Sequence, residues 1–167
     1  MDDDRVGFSR AAPEDHRAAL GERLRIAREY VGLSQEELTA RPGPGDWSIL
    51  ELVIHLTDSD CIAIDRMKRM LTEDEPPLLY ADETAYVRQL ATHEQSLEDA
   101  LILFEVGRRQ FARVLRALPD EAFERRGIHN RRGVLTVGGT VLDYIKHVDD
   151  HLKFLAEKRV RLGKPLA

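Results

Sequence analysis

The chain has 167 residues, of which 43% are hydrophobic and 33% are charged, and its formal net charge is −5 at pH 7. This length predicts one domain, residues 1–167 with a core from about residue 13 to residue 160, and the composition excludes a disordered chain and a membrane protein. The acidic balance argues against a protein that binds nucleic acid by general electrostatics.

The sequence contains no apolar run of the roughly 20 residues that span a bilayer, and its first residues lack the features of a signal peptide. We therefore expect a cytoplasmic protein. The single cysteine, Cys61, excludes an intrachain disulfide. We expect it to be buried like a small apolar residue.

The first predicted helix begins near Pro13, since proline is favoured at the first helical position. Its apolar residues follow helical spacing and are Leu20, Leu24, Ala27 and Val31. Residues 41–46 contain two prolines and two glycines, which cannot continue a helix because proline lacks an N–H and glycine loses backbone entropy. This segment is therefore predicted to be a loop.

A second long helix is predicted to begin after Asp46 or Ser48, either of which can cap it, and to continue to about Leu71. Its apolar residues again keep helical period, and they are Ile49, Leu52, Val53, Leu56, Ala63, Ile64 and Met67. Prolines at 76 and 77 then break the chain, and a short helix is predicted around residues 84–91.

Ser96 and Asp99 resemble a capping box at the start of a third long helix, which Pro119 ends. Thr136 can cap the last helix. Residues 125–135, between these two helices, show no helical period and contain two glycines, so we predict an irregular or hairpin-like crossing. Four long amphipathic helices imply an all-α protein, a four-helix bundle with a crossing segment before the last helix.

Three potential metal ligands lie four residues apart in the last helix: Asp143, His147 and His151. Positions four apart share one face of an α-helix. A third histidine, His55, lies at the margin of the apolar stripe of the second helix. Three neutral imidazoles suit zinc, nickel, copper or iron and leave a coordination position open, as catalytic sites do. The competing interpretation is that they are hydrogen-bonded residues at the edge of the core.

Further polar residues near these positions have open roles. Asp143, Glu51 and Asp58 are each a further ligand, an acceptor that fixes a histidine tautomer, or a solvated carboxylate. His129 in the crossing is either a surface imidazole or part of a loop that folds over a metal and contacts substrate. The crossing also has four arginines, Arg131 among them, whose guanidinium groups suit an anionic substrate. Trp47 is expected to close the end of the bundle beside the loop.

Together these motifs resemble the DinB-like family of metal-binding helical bundles. The matching segments are Trp47-Ser48 followed by His55-Leu56, the stretch with His129 and Gly133, and the helix with His147-x-x-x-His151-Leu152. The resemblance implies a bundle of the DinB type, a homodimer, and a divalent transition metal such as zinc, nickel or iron bound by His55, His147 and His151.

The resemblance also implies an activity. It suggests a metal-dependent transferase that joins a low-molecular-weight thiol to an electrophilic small molecule, with the metal promoting loss of the thiol proton. His129 and Arg131 are the predicted substrate-binding residues. Two alternatives stay open: a metal-dependent hydrolase in which Asp143 or Glu51 moves the proton, and a non-catalytic bundle that binds metal or a partner.

Overall fold

The computed structural model describes residues 32–43 and 47–165. The predicted first helix and residues 44–46 of the predicted loop lie outside the described residues. All helices and strands of the described part belong to the unit that spans residues 34–167. Whether residues 1–167 form one domain stays a prediction.

The first two described helices begin with the same arrangement. Helix α1 spans Gln35–Thr39 and is capped by Ser34, whose side chain accepts a hydrogen bond from the Glu37 N–H. Helix α2 spans Ile49–Thr72, and one of its two predicted caps, Ser48, accepts from the Glu51 N–H while the Glu51 carboxylate accepts from the Ser48 N–H. Capping in this way satisfies N–H groups that a helix leaves unpaired. The separate helix α1 was not predicted.

The remaining helices agree with the predicted pattern. Helix α3 spans Glu83–Gln89, α4 spans Leu97–Arg116 and α5 spans Val137–Arg161. Ser96 caps α4 and Thr136 caps α5, as predicted, through hydrogen bonds from backbone N–H groups three residues later. Two short 3₁₀ helices, Thr92–Glu94 and Asp120–Glu124, follow α3 and α4.

The crossing before α5 is a β-hairpin. Strand β2, Arg126–His129, pairs antiparallel with β3, Gly133–Thr136, and a two-residue strand β1, Pro77–Leu78, pairs parallel with β2. Gly133 has φ +74°, which favours glycine at the turn. A Cβ on Gly127 would lie 2.7 Å from a Leu78 methyl, so glycine allows β1 to approach. The hairpin form of the crossing was predicted, whereas the third strand was not.

Helix α2 packs against both α4 and α5, and its second half faces the main apolar cluster. The buried members of this cluster are Ala63, Met67, Met70, Leu78, Phe111 and Val137. Cys61 is exposed, so its predicted burial is wrong: it lies off the face of α2 that carries Ala63 and Met67. Among the described residues, no helix combines the length and apolar character needed to cross a lipid bilayer.

Candidate metal centre

Helices α2 and α5 bring three imidazoles into contact. The Nε2 atom of His55 lies 3.1 Å from that of His147 and 3.2 Å from that of His151, and the two α5 nitrogens are 2.9 Å apart. The α5 pair meets because its members are one helical turn apart. His55 joins them from 92 residues earlier in the chain. Among the described residues, His55, His147 and His151 form a group whose ligand atoms lie close enough together to hold one metal ion.

Hydrogen bonds between the rings cannot by themselves account for this triangle. In a neutral imidazole, Nε2 either carries the proton or presents a lone pair. Three Nε2 atoms in two possible states include at least two in the same state, so at least one contact joins two donors or two acceptors. A cation between the rings accepts all three lone pairs and removes that conflict. The donor set therefore fits a transition metal.

The protein keeps these histidines neutral. Burial, together with the neighbouring histidines, lowers the pKa of His55 to about 3, and burial together with His147 lowers that of His151 to about 4. Burial also lowers the pKa of His147. Neutral imidazoles are the form that binds metals, so the lone pairs are available near pH 7 without displacing a proton from an imidazolium.

The outer ring nitrogens have different surroundings. The Nδ1 atom of His55 lies 3.5 Å from the Ser59 hydroxyl and 3.9 Å from a carboxylate oxygen of Glu83. A carboxylate on this side favours a proton on Nδ1, which leaves the lone pair on Nε2. The Nδ1 atoms of His147 and His151 are buried without a hydrogen-bond partner in the described part of the chain. Metal coordination can offset the cost of burying them.

Aromatic rings surround the cluster. The Trp47 ring packs against His55 with 4.7 Å between centroids, Tyr144 meets the edge of His147 at 5.8 Å, and Phe154 lies 6.0 Å from His151. Trp47, predicted to close the end of the bundle, thus contacts a site histidine directly. Each of the three imidazoles thus packs against one aromatic ring, and these contacts restrict the imidazole rotamers.

A partly buried ion pair links the helices around the site. The Arg108 guanidinium of α4 forms two hydrogen bonds with the Asp60 carboxylate of α2, whose side chain is only 7% exposed. The same guanidinium donates to the Tyr144 carbonyl on α5 at 3.1 Å. One side chain therefore links the three helices, one turn before His147.

The sequence pattern of the DinB superfamily matches residues 19–155. The chain belongs to this superfamily. It is 28% identical over 127 residues to a protein of Oceanobacillus iheyensis named "Putative metal-dependent hydrolase OB0782", which covers 76% of this chain and 73% of the relative. It is 27% identical over 142 residues to "Putative metal-dependent hydrolase YfiT" of Bacillus subtilis, covering 84% of this chain and 79% of that one.

The solved structure of YfiT is described as "a probable metal-dependent hydrolase with an unusual four-helix bundle topology". It matches this DinB-superfamily chain with a TM-score of 0.76 and 23% identity, over 98% of this chain and 95% of YfiT. The likeness confirms the predicted four-helix bundle. The family match confirms the resemblance on which the predicted site was based.

The carboxylates whose roles the sequence left open have partners outside the three-histidine cluster. Asp143 forms an ion pair with Arg132, and Glu51 accepts hydrogen bonds from Arg41 and lies 3.1 Å from Nε2 of His93. Burial by itself raises the pKa of Glu51, but hydrogen bonds from the Ser48 N–H and Arg41 outweigh it and lower the pKa. Neither carboxylate belongs to the described three-histidine group, and neither does Asp58, whose pKa burial raises.

The two predicted substrate-binding residues lie in the hairpin. His129 is 3% exposed, and its Nδ1 accepts hydrogen bonds from the N–H groups of Arg131 and Arg132. The alternative of a surface imidazole is therefore wrong. The Arg131 guanidinium stacks 3.5 Å above the Tyr80 ring, and Arg125 donates to carbonyls at the end of α2. A role of His129 and Arg131 in substrate binding stays a prediction.

A groove of about 1160 Å³ lies beside the histidine cluster, and His151 is part of its wall. Its lining includes Trp47, Leu52, Val87, Arg88, His151 and Phe154. The contribution of α3, through Glu83 beside His55 and Arg88 in the groove, was not predicted. The sequence of this short helix does not indicate which distant residues it contacts. No local signal therefore identified Glu83 or Arg88 as part of the site.

Proposed function

We propose that this chain is a metal-dependent enzyme that holds a divalent transition metal (zinc, nickel or iron) on His55, His147 and His151. The observation that carries the proposal is the convergence of three Nε2 atoms within 3.2 Å of one another, where His151 also lines a groove. A bound divalent cation would supply Lewis acidity, lowering the pKa of a thiol or water that reaches it.

The spacing of the nitrogens supports this assignment. Ligands about 2.0–2.1 Å from one metal lie roughly 3.3 Å apart in a tetrahedral site and roughly 2.9 Å apart at adjacent octahedral positions. The separations of 2.9 to 3.2 Å fall in this interval. Three protein ligands leave at least one position for a substrate, which is typical of catalytic rather than structural sites.

The proposed reaction is transfer of a low-molecular-weight thiol to an electrophilic small molecule. The family resemblance supports it, and so does a groove of about 1160 Å³, which is somewhat larger than the usual small-molecule site of roughly 300–1,000 Å³ and has room for two small molecules. Cys61, the chain's cysteine, is not among the groove's lining residues, so the thiol would come from a cosubstrate. Trp47, Leu52 and Phe154 would bind apolar parts of the two molecules and exclude water. A homodimer and a cytoplasmic location stay predictions.

Hydrolysis is the second candidate, and the names of OB0782 and YfiT favour it. In this case Glu83 would hold the proton taken from water, because its carboxylate is 46% exposed and lies 3.9 Å from Nδ1 of His55. It replaces Asp143 and Glu51 in that role, since both are engaged with arginines. The third possibility is a bundle that binds metal or a partner without catalysing a reaction.

Metal content tests the site itself. Untagged protein should contain about one equivalent of transition metal by elemental analysis, and His55→Ala with His147→Ala should contain almost none. His93→Gln is the matched control, because it removes a histidine outside the cluster and should keep the metal. Metal-free parent protein, even after incubation with zinc, nickel and iron salts, would overturn the proposal.

The reaction type is tested with two substrates offered to metal-loaded protein, an activated chloroarene and an activated ester. Consumption of the chloroarene that requires an added cysteine-derived thiol supports transfer. Ester cleavage without thiol supports hydrolysis. Inertness toward both, with metal retained, supports the binding role. Each rate is compared with that of the metal-free double variant, which removes the background of the uncatalysed reactions.

A further inference from the structure

We infer that Arg88 is an anion-binding residue in the groove. The chain would then take a substrate whose carboxylate or other anionic group is separated by an apolar segment from the end that reacts at the histidine cluster. This inference rests on the proposed function, because it assigns the substrate class of the same site. It depends on the position of α3, the opposite wall on α5, and the charges of the lining.

The position of α3 is set by contacts at two places along α2. Near its start, the Glu83 carboxylate lies 3.9 Å from Nδ1 of His55. After its end, Nε2 of His93 lies 3.1 Å from the Glu51 carboxylate, one turn earlier on α2. The segment 83–93 therefore runs back along α2 beside the histidine site. Arg88 lies between these two contacts and lines the groove.

The opposite wall belongs to α5. His151, Phe154 and Lys158 line the groove on this side, and seven residues of helix correspond to roughly 10 Å. Leu52 of α2 and Val87 of α3 add apolar side chains to the lining. A molecule that contacts both His151 and Arg88 therefore also meets apolar side chains of the lining. A groove of about 1160 Å³ suits a substrate of several bonded atoms rather than a single small ion.

The charges of the lining single out Arg88. Arg41 is paired with Glu51, and Lys158 is 1% exposed and donates to the Pro42 carbonyl. Arg88 is exposed and has no hydrogen bond or ion pair in the described part of the chain. A guanidinium with its donors available binds a carboxylate through two parallel hydrogen bonds. Glu94 adds an exposed carboxylate to the same groove, so a monoanion suits it better than a polyanion.

The test compares two series of probes on zinc-loaded protein by titration calorimetry: unbranched thiols ending in a carboxylate, and thiols of equal chain length ending in a hydroxyl. The thiol of each probe can bind the metal, and the length of its carbon chain sets how far the carboxylate or hydroxyl lies from the metal. In the parent protein, the best-fitting acid should bind roughly tenfold tighter than its alcohol. Arg88→Gln should reduce that ratio to near one without changing the affinity of the alcohol.

Charge-matched controls separate a local contact from a general field. Arg113→Gln removes an exposed arginine of α4 that does not line the groove, and it should keep the tenfold preference. Arg88→Lys should keep part of the preference for the acid, because lysine retains the positive charge but cannot donate two parallel hydrogen bonds to a carboxylate. Glu94→Gln should leave the preference intact or increase it by removing a like charge.

The outcomes that count against the inference are distinct from failure of the proposed function. If the alcohols bind but the acids show no preference, or if Arg88→Gln keeps the preference, Arg88 is not an anion-binding residue and the metal centre stands. If neither series binds to protein that contains zinc, the thiol-binding role of the centre fails and this inference fails with it. Circular dichroism of Arg88→Gln should match the parent, since the side chain is exposed.

Discussion

The two halves of helix α2 both bury apolar side chains, but only the first half also buries polar ones. Buried polar residues of the first half include Glu51, His55, Thr57, Ser59 and Asp60. The second half buries Ala63, Met67 and Met70 against the main apolar cluster. Burial alone therefore does not mark the site. What distinguishes the first half is that its polar groups face partners from other segments, such as Arg41, Ala100 and Arg108.

This difference suggests a division of roles along one helix. The second half, whose buried residues are all apolar, supplies hydrophobic free energy. The first half supplies it as well and also positions charged groups and imidazoles, which are costly to bury unless they are paired. Substitutions in the two halves should separate stability from metal binding.

Removal of the metal should have the largest effect. A ligand held at 1,000 times its dissociation constant stabilises a fold by about 4 kcal/mol, so chelation should lower the parent's melting temperature. His147→Ala should melt as the metal-free parent does, with or without chelator, because helical packing supplies the core. Scanning calorimetry checks both. An unfolded His147→Ala would contradict the division of roles and indicate a structural metal.

Met70→Ala tests the second half of α2. Met70 is 0% exposed, and removing a fully buried methionine side chain costs roughly 2–5 kcal/mol. Urea denaturation should show this loss, while metal content at low temperature stays at the parent's level. Lys68→Ala, at an exposed position of the same helix, is the control and should change the free energy of unfolding by less than about 0.5 kcal/mol. If folded Met70→Ala lost its metal, the second half of α2 would also contribute to metal binding, and the division of roles between the two halves would be wrong.

Acid should destabilise the metal-free protein. The pKa of His55 is about 3 in the folded state, against an ordinary value of 6.5. Between these values the unfolded chain binds more protons, so stability present near pH 7 is lost as the pH falls. For His55 the loss between pH 7 and pH 5 is up to about 2 kcal/mol. Denaturation at both pH values should show a smaller difference for His55→Gln. Equal pH dependence in the two proteins would exclude His55 as the cause.

Glu83→Gln should have the smallest effect. The Glu83 carboxylate favours the Nδ1 proton of His55, and loss of such an outer partner typically weakens metal binding 10- to 100-fold. Because the separation is 3.9 Å, longer than a direct hydrogen bond, we expect roughly tenfold, measured by competition with a zinc chelator. Glu121→Gln, an exposed carboxylate of the second 3₁₀ helix, is the control. Unchanged affinity in Glu83→Gln would remove Glu83 from the site.

Much of the fold was predictable because its signals are local. Ser48, Ser96 and Thr136 cap helices through hydrogen bonds to N–H groups three residues away. The turn of the hairpin requires a positive φ at Gly133. The glycines of the crossing also indicated, from the sequence alone, that helical period is interrupted there. Helix α1 and strand β1 were missed, since one is too short to show a period and the other is defined only by its pairing with β2.

The spacing of His147 and His151 determined, by itself, that both rings share one face of α5, because helix geometry is a local property. The helical position of His55 permitted it to join them and the family resemblance implied that it does, but only tertiary packing brings His55 to His147 from 92 residues earlier in the chain. Only the tertiary structure decided that Glu83 lies beside His55, that Asp143 pairs with Arg132 and that Arg88 lines the groove. These are contacts between side chains on different elements, and they depend on how helices pack rather than on any local pattern.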